Sequence, residues 1–304
     1  MKVRAVLDSI LLNSPAQPIL KARSADRLVV LAYHDIQDPR QFRIQMEFVA
    51  AEMRPLSLDE MLDVMVETRG DPPEGAVLIT FDDADRTLLD HGLPVLKRLG
   101  IPAVAFVIAG YLGTSRPFWW REVEQLIGSG ASTPVLNIPA EGVVPHLKRM
   151  SDPMRRQTIR TLRQSAPRMR PQEKQLIATD LRLLHDEGIE IGNHTMTHPI
   201  LDRCSARRIR SEIVRAHHAL QEALGEEPVA FAYPNGNCDQ EAIRVLSELG
   251  YRAGFLFDHQ TAEIPPPDPF RISRVRVGSH TSLDRFRLIV SGLHPMIHRV
   301  LGRS

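Results

Sequence analysis

The sequence predicts an α/β protein, a single (β/α) barrel carrying an inserted segment, and three observations predict it. Short apolar runs recur and end in polar or charged residues: 28–33 stops at His34 and Asp35, and 77–81 stops at Asp82 and Asp83. Runs of that length and composition are strands buried on both faces. Amphipathic stretches stand between them, as at 87–99 and 205–224, which makes βαβ units and parallel pairing. Six or seven such repeats within 304 residues suit one barrel of about 250 residues better than two domains.

Taken in order, residues 1–26 are mixed and proline-containing and read as an N-terminal arm. The run 28–33 is the first strand. Ser57 and Glu60 form a capping box that opens a helix to about Glu67. Residues 70–75 are the loop before the Asp82 strand. The helix over 87–99 is closed by Gly100, and 102–108 is the next buried strand. Residues 113–171, rich in Pro, Gly and basic side chains, break the rhythm and read as the insertion, with helices near 119–127 and 154–164. A helix over 172–187 and a short strand over 188–192 resume it. In 205–224, Ile209, Ile213, Ala216 and Leu220 fall at helical spacing. Residues 229–233, 241–249 and 251–257 supply strand, helix and strand. The stretch 270–277 alternates Arg and Ser with Ile and Val, a half-exposed last strand. Residues 281–304 form a basic amphipathic helix, read as docking on the barrel, with peripheral membrane contact as the second reading.

Composition narrows the function classes. The chain is 43% hydrophobic and 25% charged with a formal net charge of +1, which supplies no bulk charge for nucleic acid. Its two cysteines, Cys204 and Cys238, form no CxxC pattern or disulfide framework. The apolar run after Met1 is broken by Asp8, Ser9 and Asn13, so no signal peptide is predicted and the expected compartment is the cytoplasm. Nothing in the pattern sets an oligomeric state.

The chemistry starts at Asp82 and Asp83. A buried strand cannot hold unpaired charge cheaply, so both acids belong at its rim, against water, a metal or a substrate. In parallel barrels that carboxyl edge is where active sites are built. His194 and His198, four apart and read as sharing one helical turn, face the same way and reach one ion. They are not a HExxH pair, because Glu is missing and Pro199 follows. Two imidazoles and a carboxylate from the Asp82–Asp83 pair make a three-ligand divalent site with positions left open for water and substrate.

Thr80-Phe81-Asp82-Asp83, then His194-Thr195-Met196-Thr197-His198, then Tyr233-Pro234-Asn235-Gly236 resemble the three ordered motifs of the polysaccharide deacetylase family, the NodB-homology or carbohydrate esterase 4 group. The resemblance spans roughly residues 28–277. It implies a distorted (β/α)7 barrel and metal-dependent hydrolysis of a sugar N-acetyl group. By matching position it implies Asp82 as general base, Asp83, His194 and His198 as metal ligands, and the Asn235 backbone N–H as oxyanion donor. Tyr233 and Pro234 then count among the substrate contacts, although Pro-Asn-Gly makes a turn in any reading.

The sequence departs from the family's commonest pattern in three places. Ala84 stands where that pattern has glycine, and Ala232 where it has the arginine that holds the base. Arg274, or second to it Arg271, is expected to take over that arginine's role. No late Leu-x-His-Asp segment supplies an acid histidine. Tyr33-His34-Asp35 instead resembles permuted members such as the poly-N-acetylglucosamine deacetylases, which assigns His34 as general acid and Asp35 as its orienting partner. A packed core histidine beside Tyr33 is the other reading of His34. Trp119 and Trp120 are a stacking platform for a sugar ring or helix-face packing. The remaining histidines, including His217, His218, His280, His294 and His298, are taken as surface.

The expected ion is zinc, with cobalt, nickel or iron compatible. The expected substrate is an N-acetylated sugar or oligosaccharide, shifted by the cytoplasmic expectation toward a lipid-linked glycan precursor. Hydrolysis of another amide or formamide, and a non-catalytic carbohydrate-binding homologue, are the alternatives.

Overall fold

The computed structural model describes residues 27–66, 73–133, 136, 138–166, 168 and 170–292. The expected N-terminal arm, part of the loop before the Asp82 strand and the chain beyond Gly292, with His294 and His298, lie outside them.

The apolar runs form the barrel staves. In chain order the elements are β1 (Arg27–Tyr33), α1 (Pro39–Glu52), β2 (Arg54–Pro55), α2 (Leu58–Val66), β3 (Ala76–Phe81), α3 (Leu93–Leu99) and β4 (Ala103–Val107). The insertion contributes α4 (Trp119–Gly128), α5 (Ala140–Arg149) and α6 (Asp152–Ser165). Then come α7 (Ala178–Asp186), β5 (Ile189–Asn193), α8 (Ala206–Leu224), β6 (Ala230–Ala232), α9 (Gln240–Glu248), β7 (Ala253–Phe255), β8 (Ala262–Glu263), β9 (Val275–Arg276) and α10 (Leu283–Val290).

The sheet runs β7-β6-β5-β4-β3-β1, every pair parallel. The chain from Ile272 to Arg276 bridges its two ends: Ile272 pairs with Phe255 of β7, while Val275 and Arg276 pair with Leu31 and Ala32 of β1. Curling an open parallel sheet until one strand links both edges removes the unpaired edges and converges the carboxyl ends of the staves. Arg274 lies inside that closing segment. Two short strands were not anticipated: β2 beside β3, and β8, which pairs antiparallel with β1. Two residues carry no readable periodicity.

β3 is buried along its whole length, and the helices lay apolar faces over the sheet. α8 buries Ile209, Ile213, Ala216 and Leu220. α2 opens with the expected capping box, Ser57 N–H donating to Glu60 Oε2 at 2.8 Å and Glu60 N–H to Ser57 Oγ at 3.1 Å. α10 buries Phe286, Leu288 and Ile289, so the described part of the C-terminal helix docks on the barrel. The insertion has its own core of Trp119, Val123, Leu126, Leu147, Ile159 and Leu162. α7 begins at Ala178, six residues later than its sequence pattern. The supposed surface residue His217 is buried, its Nδ1 3.2 Å from the Tyr251 hydroxyl; His218 and His280 are exposed. Cys204 and Cys238 are free thiols. Among the described residues no helix is long and apolar enough to cross a membrane.

Candidate active site

Two adjacent carboxylates leave β3 in different directions because the chain turns there. Asp83 and Ala84 have φ of 69° and 53°, both left-handed. A second unusual turn follows β5, where Thr195 has φ 68° and His198 φ 54°. The expected helical turn from His194 to His198 is therefore absent. Asn193 Oδ1 accepts from Thr195 N–H at 2.7 Å and Thr195 Oγ1 accepts from His198 N–H at 3.0 Å. Such local side-chain bonds compete with helix formation. The loop is braced from the turn after β4: Gly110 N–H donates to Met196 O at 2.9 Å, and a Cβ at Gly110 would stand 2.2 Å from that oxygen.

The loop still brings the imidazoles together. Nε2 of His194 and Nε2 of His198 each lie 3.5 Å from Asp83 Oδ1. Tetrahedral ligands about 2.1 Å from one zinc ion stand roughly 3.4 Å apart, so the spacing fits a divalent ion. The chemistry of the donor set fits as well. Asp83 Oδ1 is buried with no hydrogen-bond partner. His194 Nδ1 lies 2.8 Å from Ala232 O; a carbonyl only accepts, so Nδ1 holds the proton and Nε2 offers its lone pair. Burial, then the neighbouring Asp82, raises the Asp83 carboxyl well above its ordinary range, and burial lowers both histidines. The cluster lacks positive charge, which a divalent cation supplies.

Asp82 has the opposite surroundings. Arg274 Nη1 and Nη2 donate to its two oxygens at 2.6 and 2.8 Å, Nη1 also reaches Thr80 Oγ1 at 3.0 Å, and Nε donates to Leu256 O at 2.7 Å. The guanidinium is wholly buried among Phe106, Phe255 and Phe257. Burial alone would push the Asp82 carboxyl up; the Arg274 charge, followed by His194, outweighs it and holds the group at about 2. Arg271, the second candidate, instead pairs with Asp268 at 3.2 Å.

His34 leaves the end of β1 and sets its ring edge-on to Phe257, with centroids 5.3 Å apart. Burial draws it down to about 4, against the pull of Asp82, so the ring is neutral at pH 7. Asp35, expected to orient it, instead accepts from Gln37 and stands 3.5 Å from Arg121. Asn235 adopts a left-handed φ of 59° in the turn after β6. Tyr233 is fully buried against Phe231, and Pro234 is buried too; neither side chain faces a substrate, which corrects that expectation. The tryptophans divide. Trp119 is buried and its Nε1 donates to His198 O at 3.1 Å, so it fastens the histidine loop and is no platform. Trp120 is half-buried, with its ring 4.7 Å from that of His198.

The profile of the polysaccharide deacetylases matches residues 69–254 of this sequence. The chain belongs to the polysaccharide deacetylase family. A poly-beta-1,6-N-acetyl-D-glucosamine N-deacetylase of Staphylococcus epidermidis is 24% identical over 243 residues, which are 79% of this chain and 67% of that protein. Among solved structures, the Streptococcus pyogenes deacetylase PplD in complex with acetate superposes with a TM-score of 0.62 at 17% identity, covering 87% of this chain and 98% of that one. IcaB from Ammonifex degensii gives a TM-score of 0.60 at 22% identity over 88% and 97%. These two share the fold, the distorted (β/α)7 barrel. Membership makes the protein a hydrolase of non-peptide carbon–nitrogen bonds, a metal-dependent deacetylase that releases acetate from N-acetylated sugar.

Two residues of this deacetylase's site escaped the sequence reading. Lys148, at the end of α5, donates from Nζ to Asn235 Oδ1 at 3.0 Å; burial lowers its ammonium while Asp83 works in the other direction. Arg121 of α4 bonds Asp85 Oδ2 at 2.6 Å and also Glu173, tying the insertion to the loop after β3. A single lysine or arginine in an insertion carries no pattern. Asp85, a third acid two positions past Asp83, is the one sequence signal that could have pointed to a cation at this loop.

Proposed function

We propose that the deacetylase acts on N-acetylglucosamine units of a short glycan or glycan precursor, with Asp83, His194 and His198 holding a zinc ion and Asp82 acting as the base. The observation that carries this reading is the contrast between the two acids: one locked and ionised by Arg274, the other orphaned between two imidazole lone pairs. Asp83, His194 and His198 would hold the divalent ion, which would supply a more acidic water and withdraw charge from the amide oxygen.

The protein's own groups do the rest. Asp82, ionised at any pH above about 2, accepts the proton of the water whose oxygen adds to the acetyl carbon. The Asn235 backbone N–H, presented by the left-handed turn, stabilises the oxyanion. As the carbon–nitrogen bond breaks, the leaving nitrogen needs a proton. A neutral His34 would relay it, giving its N–H proton to the leaving nitrogen and taking up at its other ring nitrogen the proton that Asp82 drew from water, which returns both groups to their starting state. Acetate and a free amine are the products. Trp120 forms one wall of the sugar site, and Lys148 holds Asn235 in place.

The test is acetate release from β-1,4- and β-1,6-linked N-acetylglucosamine oligomers, before and after chelation and after zinc is restored. Chelator-sensitive release restored by zinc is expected. Release indifferent to the chelator, or none from any N-acetylated oligomer by protein of full metal content, overturns the proposal.

A further inference from the structure

A cavity of about 340 Å³ opens against the histidine loop, with Trp119 and Thr197 in its wall. Six arginines line it: Arg116, Arg155, Arg156, Arg160, Arg163 and Arg208. Three carboxylates answer them. Asp152 meets Arg155 at 2.6 Å, Arg208 at 3.5 Å and Arg156 at 3.7 Å; Glu122 takes Arg163 at 2.6 and 2.7 Å; Glu212 takes Arg208 at 2.6 Å. Six guanidinium groups against three carboxylates leave three positive charges in excess within one concavity. Arg155 is 4% exposed and lies 4.8 Å over the Trp119 ring. Arg160 bonds the neutral Gln157, and Arg116 sits over the Tyr111 ring. Burial lowers the Arg155 pKa in spite of Asp152, whereas the Glu122 hydrogen bond raises that of Arg163. Such an arrangement costs stability unless an anion completes it.

We propose that this cavity is an anion subsite that binds a phosphate or pyrophosphate group carried by the N-acetylated sugar. The excess charge decides the class: one carboxylate would neutralise a single charge, whereas a pyrophosphate brings two to three and offers the oxygens that guanidinium forks grip in pairs. The cavity reaches the metal loop through Trp119, whose indole N–H is bonded to His198 O. Phosphate bound there positions the sugar at one fixed distance from the reacting amide. The inference rests on the deacetylase reading and narrows its substrate to a phosphorylated one.

Two arms test it and separate its failure from that of the deacetylase reading. The first measures binding of inorganic pyrophosphate by calorimetry at fixed ionic strength. Wild type and the metal-site variant Asp83→Ala are expected to bind equally, and the exposed double variant Arg156→Ala/Arg160→Ala at least tenfold more weakly. Binding lost in Asp83→Ala but kept in the arginine variant would mean capture by the metal, and it overturns the proposal, as does no binding at all. The second arm compares acetate release from methyl N-acetylglucosaminide, UDP-N-acetylglucosamine and a 6-phosphorylated N-acetylglucosamine oligomer. At least a tenfold preference in kcat/KM for one phosphorylated substrate is expected, falling towards unity in the arginine variant. Preference for the diphosphate sugar puts the anion at the reducing end, and preference for the oligomer puts it on the chain. Equal rates on all three overturn the proposal and leave the deacetylase reading intact.

Discussion

Asp82 and Asp83 are neighbours in sequence and almost equally buried, 3% and 7% exposed, yet their surroundings are opposite. On the Asp82 side every carboxylate oxygen meets a guanidinium nitrogen within 2.8 Å, and the arginine is itself held by Thr80 and Leu256. On the Asp83 side an oxygen lies bare between two imidazoles. Burial is common to both, so burial does not set the role. What faces each acid across the barrel does: β9 and its approach bring a cation to one, and the β5 loop brings two lone pairs to the other.

The largest effect that can break this comparison comes from exchanging the loss between the two acids. Asp83→Ala or His198→Ala is expected to remove the metal and abolish acetate release. Asp82→Asn is expected to retain the metal and lose turnover by at least about a hundredfold, the usual worth of a general base. Elemental analysis beside acetate assays reads both. Full metal in Asp83→Ala, or its loss in Asp82→Asn, would erase the distinction.

The next effect is on stability. Arg274→Met leaves Asp82 buried and unpaired, which costs about 3–5 kcal/mol, and adding Asp82→Asn to it should recover most of that in urea unfolding. The pH dependence sharpens the point. An unfolded aspartate titrates near 3.9, roughly, and folded Asp82 near 2. Its contribution is thus present above the unfolded value and lost as pH falls through the folded one. Asp83, with a raised folded pKa, has the other sign: its contribution is present at low pH and lost as pH rises through the raised value. In metal-free protein at pH 7, Asp83→Asn should therefore stabilise and Asp82→Asn destabilise; equal signs would refute the charge assignment. Restoring the ion should reverse the Asp83 result.

Most of the barrel was legible because strands buried on both faces leave compact apolar runs, and the ring of staves follows from their order. Arg274 was legible only through the resemblance, as the last-strand arginine available to replace the one missing at Ala232; alternation in 270–277 reads the Arg and Ser positions as the exposed face, whereas Arg274 is wholly buried. The insertion was only partly legible. α5 went unread because Gly142 and Pro145 lie inside it, and an interior proline, here on the exposed face, forgoes a backbone hydrogen bond and argues against a helix. The His194–His198 loop was misread because spacing four suits a helix, whereas Asn193 and Thr195 caps override it. Tyr233 was taken for a substrate contact because its neighbours form a motif; the motif serves the backbone turn, and the side chain belongs to the core under α8 and α9. Lys148 and the arginine cavity emerge only when α5, α6 and α8 pack together.

The smallest expected effect concerns the turn that separates the two acids. Ala84 holds φ 53°, a conformation that costs a residue bearing a Cβ roughly 1–2 kcal/mol and glycine almost nothing. Glycine returns about 0.5–1 kcal/mol of that through the freedom it loses on folding. Ala84→Gly should therefore stabilise by about 0–1.5 kcal/mol, a melting rise of a few degrees at most. The methyl group opposes this, since Ala84 is 4% exposed and packs in the main core cluster. A melt that rises shows that the backbone turn, strained to part Asp82 from Asp83, dominates at this position. A melt that falls shows that the buried methyl contributes more than the strain costs, and that the alanine is retained for packing.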